Sequence, residues 1–314
     1  MTQALDLYAD IIIRASLKED QFKLARQLAI DSVYSLDDDP RQKVMLKLRE
    51  QFYPPPLGRS ALGEIVELEA LTVEKTAQII KDNFNLSQTI FTLAGKYDFE
   101  LVCRQIESLF EHSEDSGGQV EISVGDRAGK YTHIENDGAQ VHIGLMTGTV
   151  RPADEDYYNA RVAVSVLSGG MSARLFTEVR EKRGLCYAIG ARYHGLKDMA
   201  GVMCYAGTTP EKAQETLNVI IAEFNRLAEG VSEEEIARAK VGLKSSLILQ
   251  SESSGSRAGG IGSDYYILGR VRSLDEIKER IEATSVESVL GFLRNNRFKD
   301  FTIVTIGPKQ VSVK

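Results

Sequence analysis

The sequence has little of several residue types that mark particular protein classes: it contains no tryptophan, three cysteines and four histidines. Three scattered cysteines are too few for a disulfide framework. No apolar run reaches the ~18 residues that a membrane-spanning helix needs. Basic residues are in the minority, with 38 Lys and Arg against 45 Asp and Glu and a net charge of −7. Because no long basic block stands out, nucleic-acid binding is not expected.

The N-terminal stretch MTQALDLYADIIIRAS has neither a basic start nor a long apolar core, so it does not read as a signal peptide. The remaining composition, 43% hydrophobic and 26% charged, is typical of a soluble globular protein. A length of 314 residues is enough for two domains of ordinary size. We expect a soluble chain, cytoplasmic or periplasmic, and any signal peptide would lie before Met1.

We place the boundary between two domains at the polar, glycine-ended stretch EHSEDSGG, residues 111–118. The first domain is then 1–112 and the second is 119–314. In the first domain, apolar spacing predicts five helices and one strand. They are helices 4–15, 17–36, 40–53, 72–84 and 98–110, and strand 89–95.

The second domain is predicted to contain more strands. Its elements are strands 119–125, 130–135, 141–150, 185–193, 200–207 and 301–307, with helices that include 154–167 and 210–228. Asp154 and Ser172 are expected to be N-caps of two helices, and Gly184 the glycine that ends the second. Ser232 and Ser273 each precede a Glu by three residues, the pattern of a capping box.

An internal repeat links the two halves. Residues 72–93 align with 285–306 without a gap and are identical at six positions. More broadly, 4–96 matches roughly 216–309, while about 95 residues before the matched part of the second half have no counterpart in the first. An incomplete sheet leaves unpaired edges and an uncovered face. The first domain is therefore either shortened or completed by something else.

Three stretches resemble a known family: GGMSARLFTEVREKRGLCY at 169–187, AGTTPEKA at 206–213 and the segment 37–63. With the duplication, they resemble the M16 family of insulinase, pitrilysin and the mitochondrial processing peptidase, over essentially the whole chain. The resemblance implies an α/β (α+β) fold of two tandem domains, the first incomplete. Each would be a mostly antiparallel sheet with helices on one face. It also implies that two such bodies enclose a chamber for extended peptides.

The zinc motif of the family, HxxEH, is absent from this chain. In that motif two His ligands and a general base share one helix, whereas the histidines here are His112, His133, His142 and His194. By the repeat, the helix of the motif would lie before Met1. The place of the family's later Glu ligand falls near Ser32, next to Asp31. The resemblance therefore implies no metal site in this chain and a zinc ion on an HxxEH-bearing partner.

The resemblance does imply substrate-binding residues. Family members have an Arg and a Tyr, seven residues apart, that reach the bound peptide, and these positions match Arg180 and Tyr187. The Tyr hydroxyl can donate to the scissile carbonyl as negative charge develops, and the Arg can bond neighbouring carbonyls. Without the family, Arg180 reads as a helix C-terminal cation like Lys182 and Arg183. Tyr187 then reads as a half-buried residue on the strand face of Ile189.

Other conspicuous residues have structural interpretations. His133 and His142 are expected on adjacent strands, but a histidine pair without a nearby carboxylate or cysteine is more often structural than metal-ligating. Cys186 and Cys204, on neighbouring predicted strands, are interpreted as buried thiols. The glycine-rich stretch 253–266 has no nucleotide-binding motif. It is interpreted as either a flexible loop near the chamber or a mobile connection between helices.

Three hypotheses about function remain open. The chain is a non-catalytic, peptide-binding subunit of an M16-type zinc metallopeptidase, inactive alone and paired with an HxxEH-bearing partner or with another copy of itself. Alternatively, it is a structural or binding protein without turnover, as are family members in the core of a respiratory complex. In the third hypothesis Met1 is an internal start, and the chain is a fragment of a longer zinc peptidase.

Overall fold

The computed structural model describes residues 2–83, 88–111 and 130–313. The chain forms two compact units, one from the described parts of 1–38 and 60–123 and the other from 39–59 and the described parts of 124–314. The predicted strand 119–125, His112 and nearly all of the predicted linker lie outside the described residues. The domain boundary there stays a prediction, but residues 39–59 group with the second unit.

The described part of the first unit is helical. In chain order, the helices of the first half are α1 (Thr2–Ile13), α2 (Glu19–Tyr34), α3 (Pro40–Phe52), α4 (Ile65–Glu69), α5 (Val73–Asn83) and α6 (Phe99–Phe110). All but α3 belong to the first unit. The Arg26 guanidinium on α2 donates to the carbonyl of Leu71, just after α4, at 2.8 Å. Gln105 on α6 donates to Asp6 on α1 at 2.9 Å. Polar bonds therefore join these helices in pairs.

Residues 89–95, which we predicted to be a strand, do not form one. A strand needs neighbours for its backbone hydrogen bonds, and the described residues of the first unit contain no other strand. The repeat-equivalent stretch of the second half does form a strand, Thr302–Gly307, because it pairs on both sides. The prediction was wrong because the necessary pairing is not specified by the segment itself.

The second unit is built on one five-stranded sheet. Its strands are β1 (Tyr131–Glu135), β2 (Val141–Gly148), β3 (Cys186–Gly195), β4 (Ala200–Thr208) and β5 (Thr302–Gly307). They are ordered β1-β5-β2-β4-β3. Strand β5 runs parallel to β1, and the other neighbours are antiparallel. This mostly antiparallel sheet with its helices confirms the expected α/β (α+β) class.

Helices of the second half lie on one face of the sheet, some packed on the strands and others packed on those helices. They are α7 (Tyr157–Ser168), a π-helix (Phe176–Glu181), α8 (Ala213–Glu229), α9 (Glu233–Glu252), α10 (Ser254–Leu268), α11 (Leu274–Glu282) and α12 (Val286–Asn295). The main core lies under this layer, where Leu167, Phe224 and Phe292 are buried with Leu145 of β2. Each fully buried side chain of this kind contributes about 1.5–3 kcal/mol.

Helix α3 covers the opposite face of the sheet. Its Leu48 and Phe52 are fully buried and pack with Met146 of β2 and Val304 of β5. Gly144 lies under this helix, where an added Cβ would stand 3.3 Å from Leu48 Cδ2. The glycine thus lets α3 approach the strand closely. The family resemblance implied helices on one face, and α3 adds a layer on the second.

Equivalent positions of the repeat are buried in one unit and exposed in the other. Phe292 and Leu293 of α12 are 2% and 1% exposed, whereas Ile79 and Ile80, their equivalents on α5, are 45% and 42% exposed. Both helices are amphipathic, but only α12 has a sheet beneath it. The apolar stripe of α5 is therefore uncovered among the described residues.

The structure confirms some of the local predictions and contradicts others. Ser232 forms the expected capping box with Glu235, and Gly184 has the positive φ of 58° expected of a helix-ending glycine. Asp154 does not cap α7, which begins at Tyr157; its carboxylate instead accepts from the backbone N–H of Arg151 at 2.7 Å. The stretch 253–266, interpreted as a loop or mobile connection, is mostly helix α10.

Among the described helices, none combines the length and apolar character that crossing a membrane requires.

The buried and exposed repeat positions give a matched test. Replacing Leu293 with Ala leaves a cavity in the core and should lower the free energy of unfolding by about 2–5 kcal/mol. Replacing Ile80 with Ala should cost less than about 1 kcal/mol, because that side chain is 42% exposed in the folded chain and leaves no closed cavity when it is shortened. Urea unfolding followed by circular dichroism measures both. Equal losses for the two variants would show that the apolar face of α5 is covered after all.

Candidate functional site

The segment after α7 joins a helix to the edge strand β3 through irregular backbone. Gly170, with a φ of 154°, makes the turn after α7, and Gly184, with a φ of 58°, makes the turn before β3. Between them the helical segment is wound as a π-helix, a rare form that is often found at functional sites. Leu175 and Val179 anchor this helix in the main core. The other residues of this helix are partly or fully exposed.

Arg180 lies on the last turn of the π-helix and is exposed. Its guanidinium stands 4.9 Å from the ring centre of Phe176. Neighbouring Lys182 and Arg183 both pair with Glu178, at 2.7 Å each, which agrees with their interpretation as structural cations. These bonds, first that of Lys182 and then that of Arg183, hold the pKa of the Glu178 carboxyl below its usual value. Within the described residues no carboxylate lies within 4 Å of Arg180, so its charge is left for another partner.

Tyr187 is the extra residue of a β-bulge in β3. Cys186 pairs with Thr208 and Ala188 with the next residue of β4, Gly207, which leaves Tyr187 without an opposite residue. Bulges re-aim side chains and are common next to active sites. Tyr187 is 62% exposed. The alternative interpretation of a half-buried Tyr on the face of Ile189 was therefore wrong, because the bulge breaks the strand alternation.

The motif AGTTPEKA, at 206–213, holds the joint between the π-helix and β3. The Thr208 hydroxyl donates to the carbonyl of Leu185 at 2.5 Å, and Lys212 Nζ donates to the carbonyl of Gly184 at 2.8 Å. The Thr216 hydroxyl also donates to Leu185, at 3.3 Å. Sequence reasoning missed these supporting roles. The signal available was a polar Thr208 within a strand that is otherwise apolar.

Arg174 fixes the start of the same segment to α9. Its guanidinium makes two bonds to the Glu235 carboxylate, at 2.7 and 2.8 Å, and a third to the carbonyl of Gly230 at 2.7 Å. Both side chains of the pair are mostly buried. Glu235 also belongs to the capping box of α9. The segment that carries Arg180 is therefore held at both ends by polar bonds.

Cys186, the residue before Tyr187, is influenced by the charge of Arg180. Burial raises the pKa of the Cys186 thiol, and the positive charge of Arg180 acts against that rise. Arg180 is thus close enough to influence the residue beside Tyr187. Cys186 and Cys204 are both free thiols, and only Cys204 is fully buried. They are not opposite each other, since Cys204 pairs with Ala191.

The described residues offer no set of zinc ligands. Ser32, at the expected position of the Glu ligand, donates its hydroxyl to the carbonyl of Leu28 at 2.7 Å. Asp31 accepts from the Gln27 amide at 2.8 Å. Across 2–83, 88–111 and 130–313, no three His, Cys, Asp or Glu side chains come together as metal ligands would. Neither Ser32 nor Asp31 therefore lies in a group of metal-ligating side chains in this part of the chain.

The two histidines expected on adjacent strands are separated. His133 lies on β1 and His142 on β2, with β5 between them, so that prediction was wrong. The Nδ1 of His133 shares a hydrogen bond of 2.9 Å with the Thr305 hydroxyl. His142 Nδ1 shares one of 2.9 Å with the Tyr205 hydroxyl, and burial lowers its pKa, which Asp39 opposes. Both have the structural contacts that their interpretation required.

The Arg174–Glu235 pair should make the stability of the fold depend on pH. Hydrogen bonding to Arg174, the largest influence, holds the pKa of Glu235 below its usual value of 4.5. A lowered carboxyl pKa stabilises the fold above the unfolded pKa, and this contribution is lost as the pH falls through the folded pKa. Arg174→Gln should therefore destabilise the chain by about 2 kcal/mol at pH 7. The difference in unfolding free energy between the original chain and Arg174→Gln should shrink below pH 4.5.

Urea unfolding of the original chain and of Arg174→Gln, at pH 7 and at a pH well below the pKa of Glu235, measures this loss of stability. Arg238→Gln is the matched control, because Arg238 pairs with Glu234 at an exposed site of the same helix and such pairs contribute little. A loss for Arg174→Gln that is the same at both pH values would contradict the assignment.

The chain is similar to a described protein family and to several named proteins. The family profile described as the peptidase M16 inactive domain matches residues 70–243, more than half of the chain. An uncharacterized zinc protease of Streptomyces coelicolor is 29% identical over 316 residues, covering 97% of this chain and 69% of that protein. One of Bacillus subtilis is 26% identical over 309 residues, covering 97% and 75%.

Solved structures share the fold. The peptidase M16 inactive domain from Pseudomonas fluorescens has a TM-score of 0.85 at 19% identity, covering 99% of this chain and 75% of that one. A chain of complex III2 from Candida albicans, with Inz-5 bound, has a TM-score of 0.85 at 20% identity, covering 98% and 77%. These identities support likeness of fold alone. The profile match over 70–243 shows that this chain belongs to the peptidase M16 family, and the matched part is described as its inactive domain.

Proposed function

We propose that this chain is the peptide-binding, non-catalytic subunit of an M16-type zinc metallopeptidase. In this proposal Arg180 and Tyr187 contact the peptide bond that is cleaved. The single observation that carries it is the geometry of the joint, where a bulge exposes Tyr187 and Arg180 keeps a charge with no carboxylate nearby among the described residues. The membership of the inactive-domain family supports it.

The two side chains would act on the carbonyl oxygens of an extended peptide. The Tyr187 hydroxyl donates to the scissile carbonyl oxygen and stabilises the negative charge that develops there. Arg180 donates to neighbouring carbonyls through its planar guanidinium, which holds the peptide in place relative to the phenol. The bonds from Thr208 and Lys212 fix the backbone between these residues. Little reorganisation is then needed when a peptide binds.

The metal in this proposal belongs to another subunit. The described residues contain no suitable ligand set, so the chain alone should neither hold a stoichiometric zinc ion nor cleave peptides. An HxxEH-bearing M16 protein is the expected partner. A complex of identical copies would have to use zinc ligands outside the described residues.

A structural role is the second candidate. The likeness in fold to a chain of complex III2 from Candida albicans favours it. A chain of this kind would bind proteins or peptides without any turnover. The two proposals differ in whether adding an HxxEH-bearing partner produces peptidase activity.

The test mixes the purified chain with an HxxEH-bearing M16 protein from the same organism and measures hydrolysis of an internally quenched extended peptide. Tyr187→Phe removes the donor to the oxyanion and should lower kcat of the complex about 100- to 1,000-fold. Arg180→Ala removes peptide positioning and should lower kcat/KM. Neither side chain is buried, so stability should change by less than about 0.5 kcal/mol.

Two exposed residues provide matched controls. Tyr265→Phe, at another exposed tyrosine of the same unit, and Lys182→Ala, at a cation paired with Glu178, should leave the rate of the complex unchanged. Rates that are unchanged in Tyr187→Phe and Arg180→Ala would remove both residues from the site. Activity that never appears with any HxxEH-bearing partner would favour the structural role.

A further inference from the structure

A cavity between four helices of the second unit has the properties of a separate ligand site. It has a volume of about 640 Å³ and lies among α7, α9, α10 and α11. Sites for small molecules and cofactors usually measure roughly 300–1,000 Å³. None of the residues of the joint that carries Arg180 and Tyr187 lines it. The peptide-binding proposal therefore does not account for this cavity.

The cavity is apolar over much of its wall. Aliphatic side chains from α9, α10 and α11 line it, among them Leu247, Ile261, Leu274 and Ile277. Such a wall favours an apolar ligand body, since each CH₂ group that leaves water contributes about 0.8 kcal/mol. The first requirement on the ligand is therefore an aliphatic part.

The wall of the cavity also carries an excess of positive charge. Its charged residues are Arg161, Arg257, Arg272 and Asp264, three cations and one anion in a chain whose net charge is −7. Asp264 is occupied by Arg272, through bonds of 2.6 and 3.0 Å between two mostly buried side chains. The lining thus has two positive charges in excess. An anionic group of the ligand would balance part of that charge.

Arg161 is the cation best placed to receive the anion. Its guanidinium and that of Arg272 each lie 5.6 Å from the ring centre of Tyr157, so two cations approach one ring, and the Asp264 carboxylate bonds only Arg272. Arg161 donates to the Tyr157 hydroxyl at 2.7 Å. In the described parts of the chain it has no carboxylate within 4 Å. Its other donors match the two oxygens of a carboxylate.

Two glycines in α10 leave open space along that helix. Gly259 and Gly260 sit in mid-helix, where each costs about 1 kcal/mol relative to Ala. An added Cβ at either position would meet nothing within 4 Å, so close packing does not require glycine there. Gly260 lines the cavity and Gly259 does not. A side chain at 260 would occupy the space that a ligand needs.

We infer that this cavity binds a medium-chain aliphatic carboxylate, with its carboxylate on Arg161 and its chain against the aliphatic side chains of α9, α10 and α11. A carboxylate suits the site, because its two oxygens match the remaining donors of the Arg161 guanidinium. The aliphatic wall suits a ligand with an alkyl chain better than a compact anion such as phosphate. The chemistry is that of a free fatty acid.

Isothermal titration calorimetry of the full chain with decanoate, decan-1-ol and decyltrimethylammonium tests the inference. Decanoate should bind at one site, at least 10-fold more tightly than either other probe. Arg161→Gln should remove this preference for the anion. Gly260→Phe should weaken decanoate binding at least 10-fold, while Gly259→Phe, the matched control on the same helix, should bind as the original chain does. Both glycine variants should fold, because Phe is a better helix former than Gly.

Several results would overturn the inference. Equal binding of the three probes would show that any apolar chain is accepted, as on the exposed apolar helices of the first unit. Undiminished binding by Gly260→Phe would place decanoate elsewhere. Absence of saturable decanoate binding would remove the site. Tighter binding of a peptide with an apolar C-terminal residue would overturn the assignment to a fatty acid, because the natural carboxylate would then be that of a polypeptide.

Discussion

A β-strand is stable in water only when its backbone is paired and its apolar face is covered, and this constraint explains the contrast between the two units. In the second unit five strands are paired, and helices cover both faces of the sheet. In the described residues of the first unit there is no strand at all, although its 89–95 stretch repeats the sequence pattern of β5. Among the described residues, the apolar stripe of α5 is consequently uncovered.

The buried sheet also explains how an irregular site can persist at its edge. A π-helix and a bulged strand each give up regular backbone bonding. The loss is tolerated because Leu175, Val179 and Leu185 lie in the main core, and because Thr208 bonds the joint directly. The irregular backbone turns Tyr187 outward from a strand whose alternate residues pack on the two faces. The site therefore depends on the regular structure behind it.

Much of the fold could be predicted from the sequence, because helices and capping boxes are specified by nearby residues. The capping box at Ser232 and the positive φ of Gly184 are local features of this kind. Strand 89–95 failed because pairing is a property of distant segments. The order that places β5 between β1 and β2, and so separates His133 from His142, has the same origin. Helix α10 was missed because its glycine content argues against a helix, and its packing on α9 could not be foreseen from the segment itself.

The candidate site was predicted by family resemblance rather than by composition, and the structure adds the bulge, the π-helix and the supporting bonds that no pattern indicated. The central claim is that a peptide lies against Tyr187, and cross-linking tests it most directly. The chain would carry p-benzoylphenylalanine at position 187, or at the exposed position 265 as control, and be irradiated with its HxxEH-bearing partner and an extended peptide. The account predicts that the peptide becomes attached at 187 and not at 265. Attachment at neither position, or equally at both, would contradict it.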